Sequence, residues 1–203
     1  MSADTTTSVA DMDPGPTRWG AFGYPAFTVI WSASVISNVG IAFFDTASGW
    51  FMANMSADPM VVSLVQVATS LPLFLFTLPA GALTDIVDPR RLLLFVGIGV
   101  ALVSSLFAIL VSLHLATPNT LLLTTFLLGV GGALTAPAWV SISPQLVPRR
   151  DLAQAIAANT VGYNLSRAVG PALGGLVISG LGIAAPFWIY GVSNLGVLAA
   201  LLW

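Results

Sequence analysis

Two charges stand inside long apolar runs of this chain, Asp45 and Arg167, and they are the residues with the most chemistry to offer. A charge near mid-bilayer is expensive, so it faces a partner, a water-filled cavity or a substrate. A carboxylate in such a place can take up and release a proton. A guanidinium can hold an anionic group through its planar fork of donors. Both have polar company at helical spacing: Asn38 lies two turns before Asp45, and Thr160 and Asn164 share a face with Arg167. Ser63, Gln66 and Ser70 repeat the three-and-four spacing in another run. Such stripes either line a cavity or hydrogen-bond to neighbouring helices, and spacing alone admits both. For Asp45 a position near the outer interface is a further alternative.

The remaining inventory excludes most enzyme chemistry. Every acidic residue is Asp, every basic one except His114 is Arg, and cysteine is absent. One histidine builds neither a metal site nor an acid–base constellation, so neither a metal nor any other cofactor is expected, and no catalytic residue. Gly129-Val130-Gly131-Gly132 lacks the preceding strand and the lysine of a phosphate loop. A net charge of −2 gives no electrostatic basis for binding nucleic acid.

The chain is 57% hydrophobic and 7% charged, where soluble domains carry about 25% charged residues. It therefore reads as an integral membrane protein, with the bilayer as its first partner. Apolar runs over 27–52, 60–83, 92–115, 120–140, 152–180 and 183–203 predict six transmembrane helices, each near the ~20 residues needed to cross the hydrocarbon core. Continuous runs such as Leu71–Phe76 are incompatible with the alternation of a β-barrel. Asp58-Pro59 and Asp88-Pro89 place an N-cap acceptor before a proline at the first helical position; Thr117-Pro118 repeats the pattern, and Asp151 is placed to cap the fifth helix.

Residues 1–17 are polar and acidic and predict a disordered tail, leaving 18–203 as the bundle. Arg18, Arg90, Arg91, Arg149 and Arg150 fall at alternate ends of the runs, which predicts both termini in the cytoplasm and a multi-pass protein of the plasma (inner) membrane. The last run stops at Trp203 with no polar residue after it, so a piece of a longer chain is expected.

Two segments carry more specific information. Gly81–Arg91 is a charged island between the second and third runs. A capped turn with cytoplasmic arginines explains Asp88, Pro89, Arg90 and Arg91, but not Asp85 at the end of an apolar helix one turn after Gly81. Close helix approach at Gly81 and a carboxylate meeting a neighbouring helix N-terminus would form a breakable latch. The second segment, Gly170-Pro171-Ala172-Leu173-Gly174-Gly175, combines a GxxxG packing seam with a proline that removes a backbone donor.

Together with Ala136–Ala155 and Asn164-Leu165-Ser166-Arg167, these segments resemble the major facilitator superfamily, and within it the enterobactin-exporter-like branch of drug:proton antiporters. The resemblance implies an all-α membrane fold: a six-helix N-terminal half built as two inverted three-helix repeats. It implies a gating loop at Gly81, Asp85, Arg90 and Arg91, and an antiporter-type glycine motif at Gly170, Pro171, Gly174 and Gly175. It further implies a second six-helix half as partner and export of an amphipathic small molecule, siderophore- or drug-like, driven by protons. The candidate substrate and proton site is Asp45, Arg167, Asn38, Asn164 and Gln66. The other expectation is a truncated or partner-dependent membrane protein with no transport activity of its own.

Overall fold

A computed structural model describes residues 20–56 and 58–202 of the chain. The tail 1–17 and Arg18 lie outside the described residues. A short 3-10 turn, Gly20–Gly23, leads into six long helices: α1 (Pro25–Met55), α2 (Pro59–Ile86), α3 (Pro89–Ser112), α4 (Pro118–Leu146), α5 (Leu152–Leu181) and α6 (Ala185–Leu202).

The helix starts follow from local chemistry. Proline, which has no N–H to lose and a φ already set for the helix, opens each of the first four. Asp58 accepts from the Met60 N–H at 2.8 Å and Asp88 from the Arg91 N–H at 3.0 Å. Thr117 and Thr120 form a reciprocal capping box. Asp151 corrects the expectation: it makes no cap bond at the start of α5, because its side chain turns inward to other partners.

Five helices are long and apolar enough to cross a membrane by length and composition: α1, α2, α3, α4 and α6. Six long helices match the six expected spans in number, but α5 is not among those apolar enough by composition. It is long enough, at 30 residues, but Gln154, Asn159, Asn164 and Arg167 dilute its apolar content. α4 also runs past the expected end at 140, carrying Pro137 and Pro144 inside the helix.

Packing is selective. α1 lies against α5 and α6, α4 lies against α2 and α3, and α3 lies against α6. Exchanging α1 with α4, α2 with α5 and α3 with α6 maps this set of neighbours onto itself. That is the pairing expected of two three-helix repeats, and an odd number of crossings per repeat inverts the second relative to the first. The centre is aromatic: Phe44 of α1, Phe107 of α3 and Phe187 of α6 meet with ring centroids 5.0–6.4 Å apart. In lipid, such contacts hold helices by close packing rather than by escape from water. On the α2–α4 seam, Gly129 comes so close that a Cβ there would stand 2.9 Å from the Pro72 ring and 3.0 Å from the Thr69 carbonyl oxygen.

α2 and α5 are the outliers. Each is held mainly along one seam, and in α2 only Pro72 and Ala80 are buried. Their remaining faces are open.

The absence of cysteine makes the orientation directly testable. A single cysteine at Thr117 is expected to label from outside intact cells, and one at Val87 or Pro148 only after permeabilisation. External labelling at Val87 would reverse the topology read from the arginines.

Candidate functional site

The α1–α5 seam positions the candidate residues. Along α5, Gly162, Ser166, Gly170 and Gly174 recur every four residues and are all buried. They form a smooth strip on which α1 lies: Trp31 and Val35 over Gly162, Ala42 over Gly170, Phe43 and Thr46 over Gly174. A Cβ at Gly170 would overlap the Ala42 methyl group. The Ser166 hydroxyl donates across the seam to the Val35 carbonyl (3.3 Å) and back to Gly162 (2.8 Å). Half of the glycine motif is thus a packing seam within this bundle. The other half is not: Pro171 and Gly175 are exposed, and a side chain at Gly175 meets open space. Pro171 also lacks the N–H that would pair with the Arg167 carbonyl.

Arg167 lies on that open face with Tyr163 and Asn164. Its Nη1 donates to the Tyr163 hydroxyl (3.3 Å), and the guanidinium sits 5.6 Å from the Tyr163 ring centroid, a cation–π arrangement. Asp45 is exposed on α1, and Arg167 is within electrostatic range of it. The two make no direct ion pair among the described residues. Asn38 is half-buried on α1; Asn164 is exposed beside Arg167. Gln66 is exposed on α2, which touches α1 only lightly, so it joins the pair no more closely than that. The hydroxyls of Ser63, Ser70 and Thr160 bond back to carbonyls of their own helices. The immediate partner of Arg167 is therefore Tyr163, one turn back, which the polar-stripe reading passed over. Its i, i+4 spacing was the available signal.

The latch segment makes few contacts among the described residues. Gly81 is not a point of close approach here, since a Cβ would meet nothing within 4 Å. Asp85 and Arg91 are exposed, and the Asp85 carboxylate meets no neighbouring helix N-terminus among the described residues. Arg90 does reach across: its Nε donates to the Leu201 carbonyl oxygen at 2.6 Å, in the last turn of α6, where the helix dipole is negative.

A second charged cluster escaped the sequence reading. Asp151, fully buried, accepts from the Tyr24 hydroxyl (2.9 Å) and pairs with Arg150 Nε (3.4 Å). Arg150 also reaches the Tyr24 hydroxyl (3.4 Å). This ties the entry to α1 to the turn before α5. Tyr24→Phe removes the neutral donor to a buried carboxylate and is expected to destabilise the bundle by about 1–3 kcal/mol. Thermal unfolding in detergent checks this; an unchanged midpoint would make the contact incidental.

Two concavities among the described residues lie elsewhere, between α1 and α6 and beside Arg90. The Asp45–Arg167 region is a face rather than a pocket. No group of His, Cys, Asp or Glu among the described residues is arranged to hold a metal.

Comparison with known proteins agrees with this architecture. A major facilitator family described as transmembrane secretion effector matches residues 16–203. The chain is 27% identical over 187 residues to the enterobactin exporter EntS of Shigella boydii, covering 88% of this chain and 42% of that one. It is 24% identical over 154 residues to macrolide efflux protein A of Streptococcus pyogenes, covering 75% and 38%. It is 25% identical over 131 residues to the staphyloferrin A transporter of Staphylococcus aureus, covering 64% and 33%. The chain thus spans less than half the length of these relatives. No solved structure matches it significantly.

Proposed function

The chain belongs to the transmembrane secretion effector family of the major facilitator superfamily, and from that premise we propose that it is the N-terminal half of a proton-coupled exporter of an amphipathic small molecule. The observation that carries this reading is the placement of Asp45 and Arg167. They stand on the open sides of two tightly seamed helices, within electrostatic range but not paired. An exposed intramembrane arginine on a lipid-facing surface costs at least ~2.5 kcal/mol, so this face belongs against water or another helical half. The substrate class follows the names of the relatives, two of which concern siderophores and one a macrolide. The membrane is taken to be the plasma membrane, with both termini inside.

In this scheme Arg167 holds an anionic group of the substrate, or balances the Asp45 carboxylate once it is ionised. Tyr163 fixes the guanidinium from below. Asp45 takes a proton from the outer side when the site is empty and yields it when a donor group of the substrate engages its carboxylate. Proton and substrate then compete for one charged locus, which couples their fluxes. The free faces of α2 and α5 receive the second half, and Asp85 finds its latch partner there.

The test is efflux from cells expressing the complete transporter, with a siderophore and a macrolide as probes. Energy-dependent export that collapses with the proton gradient supports the proposal; export insensitive to the gradient sinks the proton coupling. Asp85→Asn, which keeps the shape and removes the charge, is expected to lower transport without lowering the amount of protein in the membrane. Normal transport would leave Asp85 as a helix-end carboxylate only.

A second reading has one observation in its favour. The chain covers 42% or less of each of these relatives, so the 203 residues alone are expected not to transport. Expressing them with and without a second half separates the two readings.

A further inference from the structure

Several hydroxyls of this bundle are satisfied by their own helices. Thr46, Thr69, Ser104 and Ser112 donate to carbonyls one turn back. Ser48 on α1 and Thr125 on α4 differ. Both residues are buried, at 0% and 3% exposure, and neither hydroxyl has a hydrogen-bond partner among the described residues. A buried hydroxyl left without a partner costs about 1–3 kcal/mol, so two of them in one region call for a ligand.

Helical register sets the two at one depth. Ser48 stands seven residues before the end of α1 at Met55, and Thr125 seven residues after the start of α4 at Pro118. Both therefore lie about 10 Å inside the end of the bundle opposite the arginines, at ~1.5 Å per residue. α1 and α4 touch, and Ala47, Met52 and Leu121 beside the two hydroxyls belong to one buried cluster. α2 closes the third side. A Cβ at Gly129, one turn deeper on α4 than Thr125, would stand 3.4 Å from the Ala68 carbonyl oxygen. Pro72 has no N–H to offer that carbonyl. Asp45 lies at this deeper level too, three residues before Ser48 and so beside it on the surface of α1. The ionisable groups within electrostatic range of Asp45 are Arg167 on α5 and Tyr190 on α6.

We propose that Ser48 and Thr125 hold a buried water that relays protons to Asp45 from the outer half of the bundle. Buried waters make about two to four hydrogen bonds to groups the protein leaves unpaired. Here the two hydroxyls supply the first, and the Ala68 carbonyl and the Asp45 carboxylate stand one turn deeper. A hydroxyl both donates and accepts, so a proton arriving at the water passes inward to the carboxylate and leaves the water neutral. A metal cation fits less well, because the buried hydroxyls are neutral and do not offset its desolvation. The relay rests on the proposed proton coupling; the water itself does not.

Met52 reports on the water. It is fully buried, one turn from Ser48 on the same helix, whereas Met60 is exposed. A millisecond X-ray pulse turns bound water into hydroxyl radicals, and mass spectrometry of the purified full chain reads methionine oxidation. Wild type is expected to be oxidised at Met52. Combining Ser48→Ala with Thr125→Val removes both hydroxyls and leaves no buried donor unpaired, so the fold tolerates it. That variant is expected to lose Met52 oxidation several-fold, with Met60 unchanged. An untouched Met52 in wild type, equal oxidation in the two proteins, or protection of Met52 by sodium but not by choline would each overturn the water. In the complete transporter the double variant is expected to bind substrate normally and export it several-fold more slowly under a proton gradient. An unchanged export rate would overturn the relay. Met52 oxidation does not depend on transport, so failure of the proton-coupled reading and failure of the water site are told apart.

Discussion

Replacing Arg167 by alanine is expected to reduce export by the complete transporter to background. The guanidinium stands on the open face of α5 with the Tyr163 hydroxyl and ring beside it, and Asp45 within electrostatic range. A hydrogen bond to a charged group contributes about 1.5–3 kcal/mol, so losing the contact to an anionic substrate group costs about ten- to a hundredfold in apparent affinity. Arg167→Lys is expected to rescue only partly, because lysine keeps the charge and loses the fork. Tyr163→Phe keeps the cation–π face and removes the hydroxyl, so a several-fold loss is expected there. Uptake and efflux of a labelled siderophore by cells with matched protein levels checks all three. Wild-type transport by Arg167→Ala would make the residue a structural one.

A second large expected effect, on stability, belongs to the α1–α5 seam. At Gly170 even an alanine methyl overlaps Ala42, and a larger side chain must push α1 away from α5. Overpacking of this kind costs about 1–3 kcal/mol. Gly170→Ala and Gly174→Leu are therefore expected to lower the unfolding midpoint in detergent. Gly175→Ala, which meets open space, is expected to leave it unchanged. If Gly175→Ala nonetheless slowed export, the motif would divide by residue into a seam and a surface for the second half. Equal midpoints for Gly170→Ala and Gly175→Ala would mean that α1 and α5 do not meet as described.

The parts of this structure legible in the sequence are those fixed by local chemistry. Asp58, Asp88 and Thr117 cap their helices because an acceptor followed by proline determines a helix start within a few residues. The Gly170–Gly174 spacing announced a close seam for the same reason. Asp151 was misread because its local context matches a cap while its partner, Tyr24, is 127 residues away. At Gly81 the sequence names a point of close approach, and among the described residues no neighbour stands within 4 Å of a Cβ there. Tyr163 was overlooked because an aromatic on an apolar helix looks like lipid-facing bulk until a guanidinium is placed over it. For Asp151 the missing information was tertiary, whereas for Tyr163 the i, i+4 spacing to Arg167 already stood in the sequence.

Proton coupling at Asp45 is the central claim, and substrate-induced proton release tests it most directly. Detergent-solubilised transporter in weakly buffered solution is mixed with substrate, and the released protons are counted with a pH indicator. If Asp45 surrenders its proton as a donor group of the substrate engages its carboxylate, wild type releases protons on binding. Asp45→Asn then binds substrate and releases none. Equal release by the two proteins would contradict the claim and leave Arg167 as a binding residue without a proton partner on α1.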